Sequence, residues 1–151
     1  MANDITYEGT LGHSVKRLFQ LTEKCFNEFL RPYGIARSQW YILYHLTSAQ
    51  KTTQKDLLEI LHVEAPTLSA AVESLERKGW LTSKPSDEDR RLKELQMTEL
   101  GKKHWKSIPN PITSFRTVMM EGISSEEEQA AVQVLYRAIQ NLERNSCKGI
   151  T

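Results

Sequence analysis

Cysteine is scarce in this chain of 151 residues, with only Cys25 and Cys147. Two cysteines so far apart cannot build a disulfide framework and have no zinc-site spacing. The four histidines, His13, His45, His62 and His104, show no metal-ligand spacing either, so no metal or other cofactor is expected. Long apolar runs free of charge are missing, and the first residues lack the basic-then-apolar order of a secretion signal. Those absences predict a cytoplasmic protein with no membrane partner. No charge of one sign dominates: 20 Lys and Arg meet 19 Asp and Glu, a net of +1. Bulk electrostatics therefore do not announce nucleic acid. A glycine-rich phosphate loop, a nucleophile motif and paired catalytic carboxylates are all lacking, so an enzyme is not expected. No internal repeat appears. A hydrophobic content of 39% and a charged content of 26% suit one compact domain, with or without helical extensions.

The informative stretch runs from Thr53 to Gly101. Thr53 can cap a short helix, with Asp56 favouring its positive end. Leu57, Leu58 and Leu61 give that helix an apolar stripe. His62-Val63-Glu64 is a brief connection, and Pro66 fits the first turn of a second helix, where no intrahelical N–H is needed. There Leu68, Val72 and Leu75 share one face, while Thr67, Ser69, Ala70, Glu73 and Arg77 point elsewhere. Gly79 stands where a left-handed C-cap belongs. Two helices so joined, the second with small and polar residues outward, predict a helix-turn-helix shaped for a DNA major groove.

Next come a strand over 80–84, a polar turn over 85–91 and a returning strand over 92–97, with Leu95 and Met97 inward. This two-stranded ribbon is a wing. With its Asp89-Arg90-Arg91, followed by Met97-Thr98-Glu99-Leu100-Gly101, the chain resembles the MarR family of winged helix-turn-helix transcriptional regulators. Met97 replaces that family's usual Leu. The run Leu75 to Leu81 is similar to the family's recognition helix and its exit, and the resemblance covers nearly the whole chain. It implies a mainly α fold with a small β-ribbon, one domain over 1–151. A winged helix would occupy 36–106, and 8–32 with 111–146 would form a helical dimerisation region.

The flanking sequence fits helices. Leu11, Val15, Leu18, Thr22, Cys25 and Phe29 recur at helical spacing before Pro32 and Gly34 break the pattern. Ser38 can cap the next helix, which carries Trp40, Leu43, Tyr44 and Leu46. Thr98 can start another through Trp105, and Pro109 and Pro111 interrupt it before helix resumes from Ile112 to Met120. Ser124 with Glu127 is a capping-box pattern ahead of the stripe Ala131, Val134, Leu135, Ala138 and Leu142. In the resembling family such terminal helices interlock into a homodimer, whose two recognition helices read a pseudo-palindrome.

Roles follow for double-stranded DNA. Thr53, Gln54 and Pro66 stand at the starts of the two helices. Thr67, Ser69 and Ala70 come within reach of base edges, hydroxyls bonding several bases and Ala70 meeting a thymine methyl group. Glu73 and Arg77 continue that face. Many relatives carry Arg at the Ala70 position, so one guanine reader is missing. The resemblance makes Arg91 the wing arginine that enters the minor groove and Asp89 the acid that braces the wing; Arg90 is a phosphate contact. Lys78, Lys84 and Lys93 add positive charge, opposed by Glu64, Glu73 and the Asp87-Glu88-Asp89 run.

Family members commonly hold small aromatic effectors beside the dimerisation helices. His13, Arg17, Trp40, Tyr44 and Trp105 are the candidates to line such a place for an aromatic acid, against the reading of ordinary core and surface. Some relatives sense peroxide through a first-helix cysteine, which would lie near His13 here. Cys25 does not match it and is expected as a buried core thiol, while Cys147 is expected in a frayed tail. A ligand-released dimeric repressor is the favoured reading, with a thiol-based redox sensor and a winged-helix protein-interaction module as alternatives.

Overall fold

A computed structural model describes residues 7–145. Seven helices and three short strands follow in order among them: α1 (Leu11–Leu30), α2 (Arg37–Ala49), β1 (Lys51–Thr53), α3 (Gln54–Leu61), α4 (Ala65–Arg77), β2 (Leu81–Pro85), β3 (Lys93–Met97), α5 (Glu99–Ser107), α6 (Pro111–Met119) and α7 (Ser125–Asn145). The chain divides into two compact units, one ending at Pro111 and one starting at Ile112. Helix α1 lies in the first unit with the winged helix.

In that first unit, Leu30, Ile42, Leu43, Leu57, Leu75 and Leu95 are wholly buried and join helices α1 to α4 to the sheet. Burial of such side chains contributes about 1.5–3 kcal/mol each before chain entropy is set against it. Aromatic rings knit α1 to α2: Phe26 meets Trp40 edge-on at 5.5 Å and stacks on Tyr41 at 5.7 Å. The apolar stripe of α1 is only partly covered within the first unit. Leu11, Val15 and Leu18 are exposed, and the residues turned to the core are Phe26 and Leu30. Cys25 is likewise exposed rather than a core thiol. Successive helical residues lie about 100° apart, so the burial of Phe26 turns its neighbour outward. Cys147 lies outside the described residues.

Local signals placed most helix starts. The Thr10 hydroxyl accepts from the His13 N–H at 3.2 Å to open α1. At α5, Thr98 Oγ1 accepts from the Gly101 N–H at 3.0 Å and donates to the Gly79 carbonyl at 2.6 Å, tying this helix to the exit of α4. Ser38 is not a cap: α2 starts at Arg37 after Ala36, whose N–H is taken by Gln39 Oε1 at 3.2 Å. The sheet also has one more strand than expected, in the order β1-β3-β2 and antiparallel throughout, with Thr53 and Lys84 both opposite Glu94.

The second unit holds α7, opened by a reciprocal box in which the Ser124 N–H donates to Glu127 Oε2 at 2.8 Å and the Glu127 N–H to Ser124 Oγ at 3.2 Å. Arg116 forks onto Glu128 at 2.6 and 2.7 Å, joining α6 to α7. No α7 residue is buried; Val132, Tyr136, Ile139 and Leu142 all stand open at helical spacing.

Candidate nucleic-acid interface

The turn between α3 and α4 is held by local chemistry. Thr53 Oγ1 accepts from the Asp56 N–H at 3.1 Å while Asp56 accepts from the Thr53 N–H at 3.2 Å, closing the start of α3. His62 ends that helix in the left-handed region (φ 50°, ψ 40°), and α4 starts at Ala65 with Pro66 in its first turn. Leu68, Ala71, Val72 and Leu75 bury one face of α4. Pro66, Ala70, Glu73 and Arg77 form the opposite, exposed face.

The remaining candidates flank that face. Ser69, half-buried, lies on one shoulder, where Gln54 Nε2 donates to its Oγ at 2.8 Å. Thr67 lies on the other and lines a groove facing α1 and α2. The Thr53 hydroxyl accepts its helix-capping bond, so its main part is to set the angle of α3.

The wing is tied to α4 by the Ser83 hydroxyl, which donates to Glu76. Its turn closes through the Ser86 N–H to the Leu92 carbonyl and the Leu92 N–H to the Asp89 carbonyl, both at 2.9 Å. Asp89 Oδ1 accepts from the Arg91 N–H at 3.0 Å and from its Nε at 3.2 Å. The Arg91 side chain is nevertheless 91% exposed, and Arg90 is exposed beside it.

Two of the lysines counted towards phosphate binding are engaged within the chain. Lys78 Nζ donates to the Gly34 carbonyl and to Gln39 Oε1 (3.0 Å) and sits over the Trp80 ring, and burial pushes its pKa down. Lys84 lies 3.5 Å from Glu94 and 3.6 Å from Asp87. Glu94, whose side chain is only 8% exposed, also takes Lys51 Nζ at 3.1 Å, and this hydrogen bond holds the Lys51 ammonium above its ordinary value. This cluster was not legible beforehand, because three residues of β1 are too few for periodicity to show. The other cations of α4 and the wing, Arg77, Arg90, Arg91 and Lys93, are all exposed.

The expected effector site is not assembled as such. Trp40, Tyr44 and Trp105 do meet, with Trp40 stacked on Tyr44 at 5.0 Å and 5.5 Å from Trp105. Trp40, however, is 1% exposed and serves the core. His13 and Arg17 stand on α1 some 13 and 9 residues before Phe26, the ring that touches Trp40, or about 20 and 13 Å along the axis. A groove of about 710 Å³ opens elsewhere, between α1, α2 and the helix-turn-helix, lined by Phe19, Glu23, Arg37, Tyr41, His45 and Thr67 among others. The Arg37 guanidinium pairs with Glu23 there and lies 5.3–5.6 Å from the rings of Phe19, Phe26 and Tyr41. Its Nε is buried and has no hydrogen-bond partner. Among the described residues, no cluster of His, Cys, Asp or Glu is arranged to hold a metal ion, and no helix is long and apolar enough to cross a membrane.

A helix-turn-helix whose second helix leaves one face open, joined to a ribbon carrying exposed arginines, defines a winged helix. Residues 33–92 match the model of the MarR family. An uncharacterised HTH-type transcriptional regulator of Bacillus subtilis strain 168, YwoH, is 31% identical over 118 residues, covering 78% of this chain and 85% of its own. The chain belongs to the MarR family of transcriptional regulators, which are not enzymes. Its fold is that of S. aureus MepR in a DNA complex, with a TM-score of 0.79, 21% identity and coverage of 91% of this chain and 99% of the other. A mutant E. coli MarR complexed with operator DNA is also similar, with a TM-score of 0.75, 21% identity and coverage of 85% and 92%.

Proposed function

We propose that this protein is a homodimeric repressor that reads a pseudo-palindromic operator through α4 and the wing, and leaves it when a small aromatic acid binds. The observation that carries the DNA-reading part is the exposed face Pro66, Ala70, Glu73 and Arg77 beside the open Arg90 and Arg91. The small Pro66 and Ala70 let the start of α4 approach base edges, and the arginines supply local charge that the net of +1 hides. Solved structures of the same fold that contain DNA support this reading.

Dimerisation is supported by apolar side chains that each unit leaves uncovered: Leu11, Val15 and Leu18 on α1, and Val132, Tyr136, Ile139 and Leu142 on α7. Isolated exposed apolar residues need no explanation, but rows at helical spacing on two helices do.

The effector site of the proposal moves from the Trp40 cluster to the groove beside Thr67. Phe19 and Tyr41 supply aromatic walls, and the unpartnered Arg37 Nε is a buried donor for a carboxylate. Thr67 and Leu68 of the recognition helix share that lining, so a ligand there bears directly on α4. Release requires tighter binding to a geometry unfit for DNA, because equal affinity shifts nothing.

Selection of bound fragments from the source genome with purified protein would identify the operator; enrichment of a short inverted repeat is expected, and no enrichment would contradict the proposal. Titrating aromatic acids into the complex then tests release, which Tyr41→Ala should blunt. Oxidant-driven release that Cys25→Ser abolishes would favour the redox reading instead, since Cys25 is accessible.

A further inference from the structure

Ser69 stands on the shoulder of the recognition helix, and its Oγ accepts a hydrogen bond from Gln54 Nε2 at 2.8 Å. A serine hydroxyl has one proton to give and two lone pairs to receive with. The amide of Gln54 occupies one lone pair. The Ser69 proton has no acceptor within the chain among the described residues. A hydroxyl that accepts one bond becomes a stronger donor and a weaker acceptor, since the two bonds polarise each other. Gln54 is the first residue of α3 and is itself half-buried, so the pair is held by the same turn that sets the angle between α3 and α4.

We propose that Gln54 is a specificity-positioning residue: it presents Ser69 to the major groove as a hydrogen-bond donor, so that one base in each half-site must offer an acceptor. Guanine offers O6 and N7 there, adenine N7 and thymine O4, whereas cytosine offers only its N4 amino donor. Cytosine is therefore the base this position rejects. The inference rests on α4 being the DNA-reading helix, and it assigns to Gln54 an effect on preference rather than on affinity alone.

The test is selection of bound duplexes from a randomised library by the full-length protein, in wild type and in variants, scored by base ratios at each position. Ratios within one library cancel any uniform change in affinity. Wild type should discriminate against cytosine at one position per half-site by about fivefold, the worth of one hydrogen bond. Ser69→Ala should flatten that position only. Gln54→Glu reverses the pair, because a carboxylate accepts and draws the Ser69 proton to itself. The lone pairs then face the DNA, and the preference should turn to cytosine and adenine, whose amino groups donate. If the added charge abolishes binding, Gln54→Met decides: the discrimination should shrink to about half while other positions hold. An unchanged cytosine ratio in Gln54→Glu, or in Gln54→Met where Glu does not bind, overturns the inference while leaving the DNA-reading proposal standing. No enrichment by folded wild type would overturn both.

Discussion

Asp89 and Arg91 are joined twice at the tip of the wing, through the Arg91 N–H and through its Nε, both onto the same Asp89 oxygen at 3.0 and 3.2 Å. The backbone bond fixes the turn and the side-chain bond aims the guanidinium, leaving its terminal nitrogens free for phosphate or groove. Arg91→Ala should weaken operator binding and lower the salt slope by about 1, as for one lost phosphate contact. With 91% of the side chain exposed, stability should change by less than about 0.5 kcal/mol. Anisotropy titrations at several salt concentrations, with denaturant melts, check both parts. Asp89→Ala carries a sharper sign. Removing a negative charge near DNA should raise affinity unless Asp89 aims Arg91; the account predicts a fall.

Arg77 and Lys78 are neighbours with opposite fates. Arg77 is exposed on the outer face of α4, while Lys78 donates into Gly34 and Gln39 and lies over Trp80. Arg77→Ala should reduce the salt slope and spare stability. Lys78→Ala should lower stability by about 1 kcal/mol, because Gln39 Oε1 and the Gly34 carbonyl each lose a charged donor, and change the salt slope little. Thermal melts and salt titrations of the two variants separate these outcomes.

Gly101 lies where α5 packs tightly on the exit of α4. A β-carbon there would stand 2.0 Å from the Trp80 carbonyl oxygen and 2.9 Å from Met97 Cγ. Backbone cannot step aside as a flexible side chain would, so Gly101→Ala should cost at least about 1–3 kcal/mol in chemical denaturation, despite the better helix propensity of Ala. A variant as stable as wild type would contradict this packing.

Arg116 and Glu128 carry a pH dependence. The hydrogen bond from Arg116 holds the Glu128 carboxyl below its ordinary value of 4.5. A folded-state pKa below the unfolded one contributes stability above the unfolded value, and loses it as pH falls through the folded value. Glu128→Gln should therefore melt slightly below wild type at neutral pH, and the gap should close in acid below the ordinary carboxyl range. A gap of equal size at both extremes would show that the ion pair contributes nothing.

Helix boundaries were legible where the signal was local. Thr53, Thr98 and the Ser124–Glu127 pair cap as their spacing implied, and Gly79 takes its positive φ of 69°. Features made by distant residues were not legible. The strand β1 exists only by pairing with β3, more than 40 residues away in sequence, and the burial of Glu94 between Lys51 and Lys84 follows from that pairing. The inward turn of Lys78 needs Gly34 and Gln39, and the Arg37 cage needs rings from both α1 and α2. Cys25 misled for a different reason: helical spacing shows that a face is apolar but not what covers it.

The central claim is that α4 and the wing read DNA, with charge gathered locally on a nearly neutral chain. Its most direct measurement is the affinity of the wild-type protein for its selected duplex across a range of salt, with the Arg90→Ala/Arg91→Ala double variant in parallel. The account predicts that the logarithm of wild-type affinity falls linearly with the logarithm of salt, and that the double variant has a shallower slope by about 2. Wild-type affinity indifferent to salt, or a double variant with an unaltered slope, would contradict it.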